Sequence, residues 1–310
     1  MQTFKMFILT LLVFFQSAYA ADRTIVDIET NYGTMAVELY PDKAPITVAN
    51  FLTYVDANYY TDLIFHRVMS GFVIQGGTAN AELFVKNTLA PIQNEADNGL
   101  KNDRGTIAMA RTTEPHSATS QFYFNLVDND ALNYTSSTTS GWGYAVFGEI
   151  IEGLDVMDAI GAVPTGTVSG VPNLPLSSVT MLGVRRREGQ LQFAQPQSEY
   201  QTGETLTISL TETAISRSET LDLWVGLAMP DGSFLYFTSN TQSPLSTEPA
   251  AFQRNVTAST TQHNIFSFQV TPGLTGSYTI YAIFNSPGSD LSRLSETLRS
   301  NIATTQITIK

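Results

Sequence analysis

The chain of 310 residues contains no cysteine. Disulfides, thiol nucleophiles, thiolate metal sites and a cysteine-borne lipid anchor are therefore excluded. Histidine is almost as scarce: His66, His116 and His263 are the only three, and they fall in separate segments. With so few ligands of that kind a zinc site is not expected, and no other metal or cofactor is expected either. Basic residues are also few, 16 Lys and Arg against 28 Asp and Glu, for a formal net charge of -12. A nucleic-acid partner would need a basic face. The one basic cluster, Arg185 to Arg187, is three residues long and reads as a solvated strand end. The leading apolar run "MFILTLLVFF" is too short to span a bilayer, which takes about 20 residues. It lies between Lys5 and the small residues of "SAYA", the pattern of a secretory signal cleaved after Ala20. No stable membrane insertion is expected once that signal is removed.

What is present is globular. Hydrophobic residues make up 43% and charged residues 14%, which is not the balance of a disordered chain. The texture changes near residue 188. Before it, strands, two helical stretches and Gly-rich loops alternate. "RTIVDIET" and "TMAVELY" flank "NYG" as a hairpin. In "PDKAPITVANFLTYVDANYY", Val48, Phe51, Leu52 and Val55 recur at i, i+3, i+4 and i+7, which predicts an amphipathic helix. "GTIAMAR", "SQFYFNLV", "GYAVFGEI" and "SSVTMLGVRR" read as strands, and "EGLDVMDAI" as a short helix closed by Gly161. Many antiparallel strands with two helices predict a closed β-barrel with helices over its open ends. After residue 188 come six period-2 segments, from "ETLTISL" to "TTQITIK", separated by turn signals such as "PDGS". They predict an Ig-like β-sandwich over residues 189–310. The polar stretch "EGQLQFAQPQSEYQTGE" reads as a connection that permits relative domain motion.

One stretch carries a contradiction. "FHRVMSGFVIQGG", residues 65–77, sets Arg67 and Gln75 among Phe65, Val68, Phe72, Val73 and Ile74. A guanidinium buried without a partner is expensive, so Arg67 either faces solvent or is held at a shaped site. In a strand, residues 67, 73 and 75 share parity, and a break at Ser70-Gly71 lets Phe72 join them. One face then carries a cationic donor, a polar positioner and two apolar groups. Scattered acids, mostly in turns, give no comparable support to a catalytic triad or a carboxylate pair.

"FHRVMSGFVIQGG", with "RGTIAMAR", "SQFYFNL" and "GYAVFGEI" in that order, resembles the cyclophilin family of peptidyl-prolyl isomerases over residues 23–186. "NEADNGLKNDRGTIAMAR" is similar to its bacterial periplasmic branch. The resemblance implies a mainly β fold, an eight-stranded antiparallel barrel with two capping helices over residues 21–188. It implies X-Pro isomerisation without metal or nucleotide, in a periplasmic or secreted protein acting on proline-containing polypeptides, expected to be unfolded exported proteins. Arg67 and Gln75 would be catalytic. Phe72, Val73, Tyr123 and Leu132 would form the proline pocket. Ala110 and Arg111 would meet the residue before proline, Gln121 would orient Arg67 and the peptide, and Tyr144 would stand at the rim. Three positions depart from the family. Tyr144 replaces a histidine common in eukaryotic members, Ala131 replaces a tryptophan, and Tyr123 adds a hydroxyl that needs a partner. The first two trim the rim and argue against strong cyclosporin binding. Two other functions stay open: a non-catalytic proline-peptide or chaperone module, and an adhesion or glycan-binding protein acting through residues 189–310. For the second, Trp224, Tyr236, Tyr278 and Tyr281 read as core.

Overall fold

The computed structural model describes residues 24–310 apart from residues 195, 216, 218 and 260, so the expected signal segment lies outside the described residues. The chain opens with the expected hairpin, β1 (Thr24–Thr30) and β2 (Gly33–Leu39). Helix α1 (Pro45–Asp56) begins at a proline, whose missing N–H would be unpaired there in any case. Its Val48, Phe51, Leu52 and Val55 are all buried, as their spacing requires. Its first turn is capped from a distance: the Glu95 carboxylate accepts the Ile46 and Thr47 N–H groups at 3.1 and 2.8 Å. A carboxylate is favoured at that positive helix end.

Next come β3 (Arg67–Met69) and β4 (Val73–Gly76), which pair antiparallel. The stretch read as one strand broken at Ser70-Gly71 is therefore a hairpin that reverses there, with Gly71 at φ +71. Strands β5 (Thr106–Met109), β6 (Phe122–Asn125) and β7 (Val146–Glu152) precede helix α2 (Leu154–Gly161). Gly161 is the last residue of α2 and is small for a packing reason, since a Cβ there would lie 2.6 Å from the Leu126 side chain. A small hairpin, β8 (Thr165–Val168) with β9 (Val171–Pro175), was not anticipated; its exposed "TGTV" has no apolar alternation to betray it. Strand β10 (Met181–Arg187) completes the sheet.

Eight strands lie in the order β10-β1-β2-β7-β5-β6-β4-β3. The ends meet through the segments that lead into β3 and β10: Met181 N–H donates to Leu63 O at 2.8 Å, and Phe65 N–H to Val179 O at 2.9 Å. This is the expected barrel. Inward residues such as Val26, Val37, Phe65, Ile74, Phe122, Phe124 and Phe147 form one core with Phe51 of α1 and Met157 and Ile160 of α2. Phe51 meets Phe122 edge-on at 5.5 Å.

Ten strands follow: β11 (Gly189–Phe193), β12 (Glu199–Tyr200), β13 (Thr205–Ala214), β14 (Leu221–Ala228), β15 (Phe234–Phe237), β16 (Leu245–Ser246), β17 (Gln253–Val256), β18 (Gln262–Gln269), β19 (Gly276–Asn285) and β20 (Ala303–Ile309). A single turn, α3 (Leu294–Thr297), precedes the last. All six strands read from alternation are present. One sheet runs β11-β13-β18, the other β12-β20-β19-β14-β15-β16 with β17 on β14. Leu206, Ile208 and Ile265 of the first pack with Leu223, Ile280, Ile307 and Ile309 of the second, which makes the two-sheet sandwich. Trp224 and Tyr278 are buried, while Tyr236 and Tyr281 are half-buried.

Two readings fail at the junction. Residues 189–193 of the stretch read as a connection are strand β11, separated from β10 only by Glu188. Its N–H donates to Arg299 O at 2.7 Å and its carbonyl accepts Ile215 N–H at 3.0 Å. Ile215 packs against Ile25 and Ala36 of the barrel. Nor is the arginine run a solvated strand end. Arg187 is 4% exposed and grips Asp27, 2% exposed, through Nε and Nη2. It also donates to Glu152 at 2.9 Å and to Gln190 of β11 at 2.9 Å. Arg185 is buried and paired with Glu29, while Arg186 makes a more exposed pair with Asp56. Spacing along the sequence gave no hint of acids on β1 and β7 gathering around these cations.

The two kinds of pair should separate in denaturation experiments. Arg187→Ala leaves Asp27 buried and uncompensated and should lower unfolding free energy by about 3–5 kcal/mol. Arg186→Ala breaks an exposed pair, of the kind worth about 0–1 kcal/mol. Equal losses by urea titration would contradict this account of the seam.

Candidate active site

Strand register explains how the polar residues of 65–77 come together. Across the β3–β4 hairpin Arg67 faces Gln75 and Met69 faces Val73. Directly opposed residues project to the same side of a sheet. Val68 and Ile74 therefore point into the barrel and are buried, while Arg67, Val73 and Gln75 look outward. The register carries on: Gln75 faces Tyr123 on β6, Tyr123 faces Ala108 on β5, and Ala108 faces Val146 on β7. Arg67, Gln75, Tyr123, Ala108 and Val146 thus form one row across five strands, on the outer wall.

The apolar part of that wall is a separate small cluster. Val73, Ala108, Tyr123 and Val146 are its buried floor, and Phe72, Leu100, Ala110, Leu132 and Tyr144 are its partly exposed rim. The floor stays rigid because the barrel core lies directly beneath it. Phe72 is placed by the hairpin turn, its N–H on Met69 O at 3.0 Å, and its carbonyl is held by Leu126 N–H at 2.9 Å and Asn129 Nδ2 at 3.0 Å. Leu132 comes from a short 3-10 turn, Asp130–Leu132, and accepts Tyr144 N–H at 3.0 Å. Gly143 lets these segments touch: it has φ +62, and a Cβ there would stand 2.6 Å from Leu132 O.

Beside the cluster runs a polar relay. Arg67 Nη1 donates to Gln75 Oε1 at 3.1 Å, and Gln75 Nε2 donates to Gln121 Oε1 at 2.9 Å. The guanidinium carbon lies 5.8 Å from the Phe72 ring centroid. Arg67 is half-buried and keeps further donors beyond the one given to Gln75. The arrangement fixes a permanent cation beside an apolar pocket. Among the described residues no group of three or more His, Asp or Glu is placed to hold a metal ion.

Tyr123 has the partner its hydroxyl demands. It donates to Asn102 Oδ1 at 2.6 Å, and Asn102 Nδ2 reaches Leu132 O at 3.1 Å. Asn102 therefore ties floor to rim. The residue was not picked out from sequence, although an extra hydroxyl on an apolar floor was the available signal. Burial pushes the Tyr123 hydroxyl well above its ordinary range, so it remains a neutral donor. Leu100, Ala108 and Val146 were also missed; as small or apolar residues they carry no chemical mark.

Arg111 is placed differently from Arg67. Its Nε donates to Gly143 O at 2.8 Å and Nη1 to Thr112 O at 2.9 Å, and its guanidinium lies 4.5 Å from the Tyr144 ring centroid. The side chain is committed to holding the rim. Ala110 N–H is likewise engaged, on Gln121 O at 3.0 Å. Ala131 is exposed beside Leu132.

His66, next to Arg67, has its pKa lowered to about 4 by burial, with the Arg67 charge adding to the effect. The folded state then refuses a proton that the unfolded chain accepts below its ordinary value of 6.5. His66 should therefore favour the folded state fully above that value, and the benefit should shrink as pH falls toward the folded value. His66→Gln should flatten the stability profile across this window in urea titrations, and the His66 ring should show no NMR titration near neutrality. A His66 pKa near its ordinary value would refute the burial assigned to it.

Comparison with known proteins places this outer site in context. Residues 25–185 match the family model described as cyclophilin type peptidyl-prolyl cis-trans isomerase/CLD. The peptidyl-prolyl cis-trans isomerase cyp18 of Streptomyces antibioticus is 54% identical over 156 residues, covering 50% of this chain and 94% of that protein. Peptidyl-prolyl cis-trans isomerase B of Escherichia coli is 49% identical over 160 residues, covering 52% of this chain and 98% of its own. Among solved structures, a cyclophilin type peptidyl-prolyl cis-trans isomerase of Cryptosporidium parvum is 26% identical with a TM-score of 0.45, covering 53% of this chain and 98% of that one.

Proposed function

The chain belongs to the cyclophilin-type peptidyl-prolyl cis-trans isomerases, and we propose that it turns X-Pro bonds of exported polypeptides with the Arg67 row described above. The enzyme is an isomerase of prolyl peptide bonds. The observation that carries our assignment of the site is the relay Gln121–Gln75–Arg67, which aims a fixed guanidinium beside the Val73–Tyr123 floor.

The chemistry needs no nucleophile and no proton donor. Rotation about the amide meets a barrier of about 18–20 kcal/mol because resonance is lost on twisting. Uncatalysed, it takes about 10–100 s. In the twisted state the proline nitrogen recovers its lone pair. A donor waiting at that nitrogen favours the twisted state over the planar one, and only such a difference accelerates the reaction. Each ~1.36 kcal/mol of difference is a tenfold gain. In this proposal the ring of proline occupies the cluster of Phe72, Val73, Tyr123 and Leu132, and Arg67 supplies the donor. Arg67 holds its charge at any working pH. Gln75 and Gln121 keep it aimed, and Ala110, Arg111 and Tyr144 bound the side where the residue before proline lies.

The setting is proposed as periplasmic or fully secreted, with unfolded exported proteins as clients. Its support is the basic start, short apolar run and small-residue site within residues 1–20. Catalysis is favoured over a purely binding role because the similar proteins are named peptidyl-prolyl cis-trans isomerases. A glycan platform in the sandwich finds no support in Trp224, which is 4% exposed.

On short X-Pro peptides, Arg67→Ala should lower kcat/KM by at least about 100-fold, the usual loss for a donor that serves the transition state. Wild-type rates in that variant, measured by NMR exchange or protease coupling, would sink the mechanism. A chain ending at residue 188 should keep its short-peptide rate, because the row and the pocket lie wholly between residues 67 and 146. It should also melt at a lower temperature, because Ile25 and Ala36 lose Ile215. Lost turnover in a truncation that remains folded would show that the sandwich completes the site. Cyclosporin should bind weakly, and Ala131→Trp should tighten it; tight binding by the unaltered protein would contradict the trimmed rim.

A further inference from the structure

A sizeable apolar cavity lies away from the isomerase site. It lies in the sandwich, where both sheets stop: β18 is the last strand of one and β16 the last of the other. Its volume is ≈ 660 Å³, within the range of about 300–1,000 Å³ typical of ligand sites. Phe237 and Phe266 stack face to face inside it at 4.6 Å. Phe268 and Leu245 stand on the two edge strands at its mouth, 38% and 39% exposed.

The chemistry of the lining narrows the occupant. Among the described residues that line it there is no Asp, Glu, Lys, Arg or His. A fatty acid or phospholipid would bring a charged head group with no counter-charge to receive it. The polar groups present are neutral hydroxyls and amides, from Thr238, Ser239, Asn240, Thr241, Asn264 and Ser267. Such groups suit a peptide backbone. Among the described residues strand β18 pairs with β13 alone, so its other edge offers backbone N–H and C=O groups beside the aromatic lining. An edge strand next to side-chain pockets is the arrangement by which an extended peptide adds to a sheet.

We propose that this cavity binds a neutral apolar segment of an extended polypeptide, laid along the free edge of β18 with its side chains between Phe266, Phe268 and Leu245. The choice of a polypeptide rests also on the isomerase reading, because the barrel acts on polypeptides. The segment need not contain proline. A client held at both places would meet the barrel at a raised effective concentration, a gain in avidity of about 10²–10⁴ where one chain spans both sites.

The test uses the chain of residues 21–310 and a fluorescein-labelled peptide alternating leucine and serine, without proline. Anisotropy should show saturable binding. Hydrogen exchange in the unaltered protein should show protection of the Asn264–Phe268 amides when the peptide is added. The double variant Leu245→Asp, Phe268→Asp changes two exposed side chains and should weaken binding at least about tenfold, with X-Pro turnover unchanged. Absence of binding, equal binding by the double variant, or no protection of β18 would each overturn the proposal. So would dodecanoate binding that the peptide cannot displace, which would make the cavity an acyl-chain site. Because the peptide lacks proline, the two readings fail separately. Binding without turnover would remove the isomerase reading, and turnover without binding would remove this one.

Discussion

Strand alternation around the barrel ties the core and the outer wall that carries Arg67 together. Each strand that sends one side chain inward sends its neighbour outward. Val68 and Ile74 fill the interior because Arg67, Val73 and Gln75 do not, and the same holds for Phe122 and Phe124 on either side of Tyr123. The site is thus the reverse face of the packed core. A slip of one residue in the β4–β6 register would bury Gln75 and put Phe124 on the wall, losing both at once. That coupling gives the wall its rigidity. In the proposed mechanism a donor aimed at a twisted amide is useful only if it does not relax toward the planar one, and close-packed aromatics beneath the wall leave little room to relax.

The seam with the sandwich follows a different logic. Arg187 sits at the end of the closing strand and reaches Asp27, Glu152 and Gln190 at once. Burying such charges is expensive, and an apolar substitute would often be equally stable. Ionic contacts have a direction that apolar contacts lack. Asp27 on β1 and Glu152 at the end of β7 hold one planar guanidinium, and Gln190 on β11 meets the same group, so the fork ties the first sandwich strand to the barrel.

How much of this was legible in the sequence depended on whether the signal was local. Alternation and helical spacing disclosed α1, the β1–β2 hairpin and the six main sandwich strands because each pattern lies within about a dozen residues. The row from Arg67 to Tyr123 was legible through the motif resemblance and the parity of residues 67, 73 and 75. The parity argument assumed a single strand, whereas a hairpin with opposed partners gives the same face for another reason. What stayed hidden was long-range and polar: Glu95 capping α1, Asn102 receiving Tyr123, and acids converging on the arginine run. An arginine whose partner lies 160 residues away looks like any surface arginine. Short edge strands such as β12, β16 and β17 were invisible because two to four residues cannot display a period.

Barrel closure also sets the order in which the molecule is able to fold. Strand β1 takes its outer partner from β10, so the first strand waits for the last. The two are separated by about 150 residues. Until β10 joins, the outer edge of β1 is unpaired, as that of β2 is until β7 joins, and contacts of such long range are slow to form. The acidic residues Asp27 and Glu29 on that waiting edge later receive Arg187 and Arg185. Until then they are like charges on a bare strand, which repel a second copy of the same strand. The carboxylates that finally lock the barrel thus act earlier as its protection against pairing with the wrong chain.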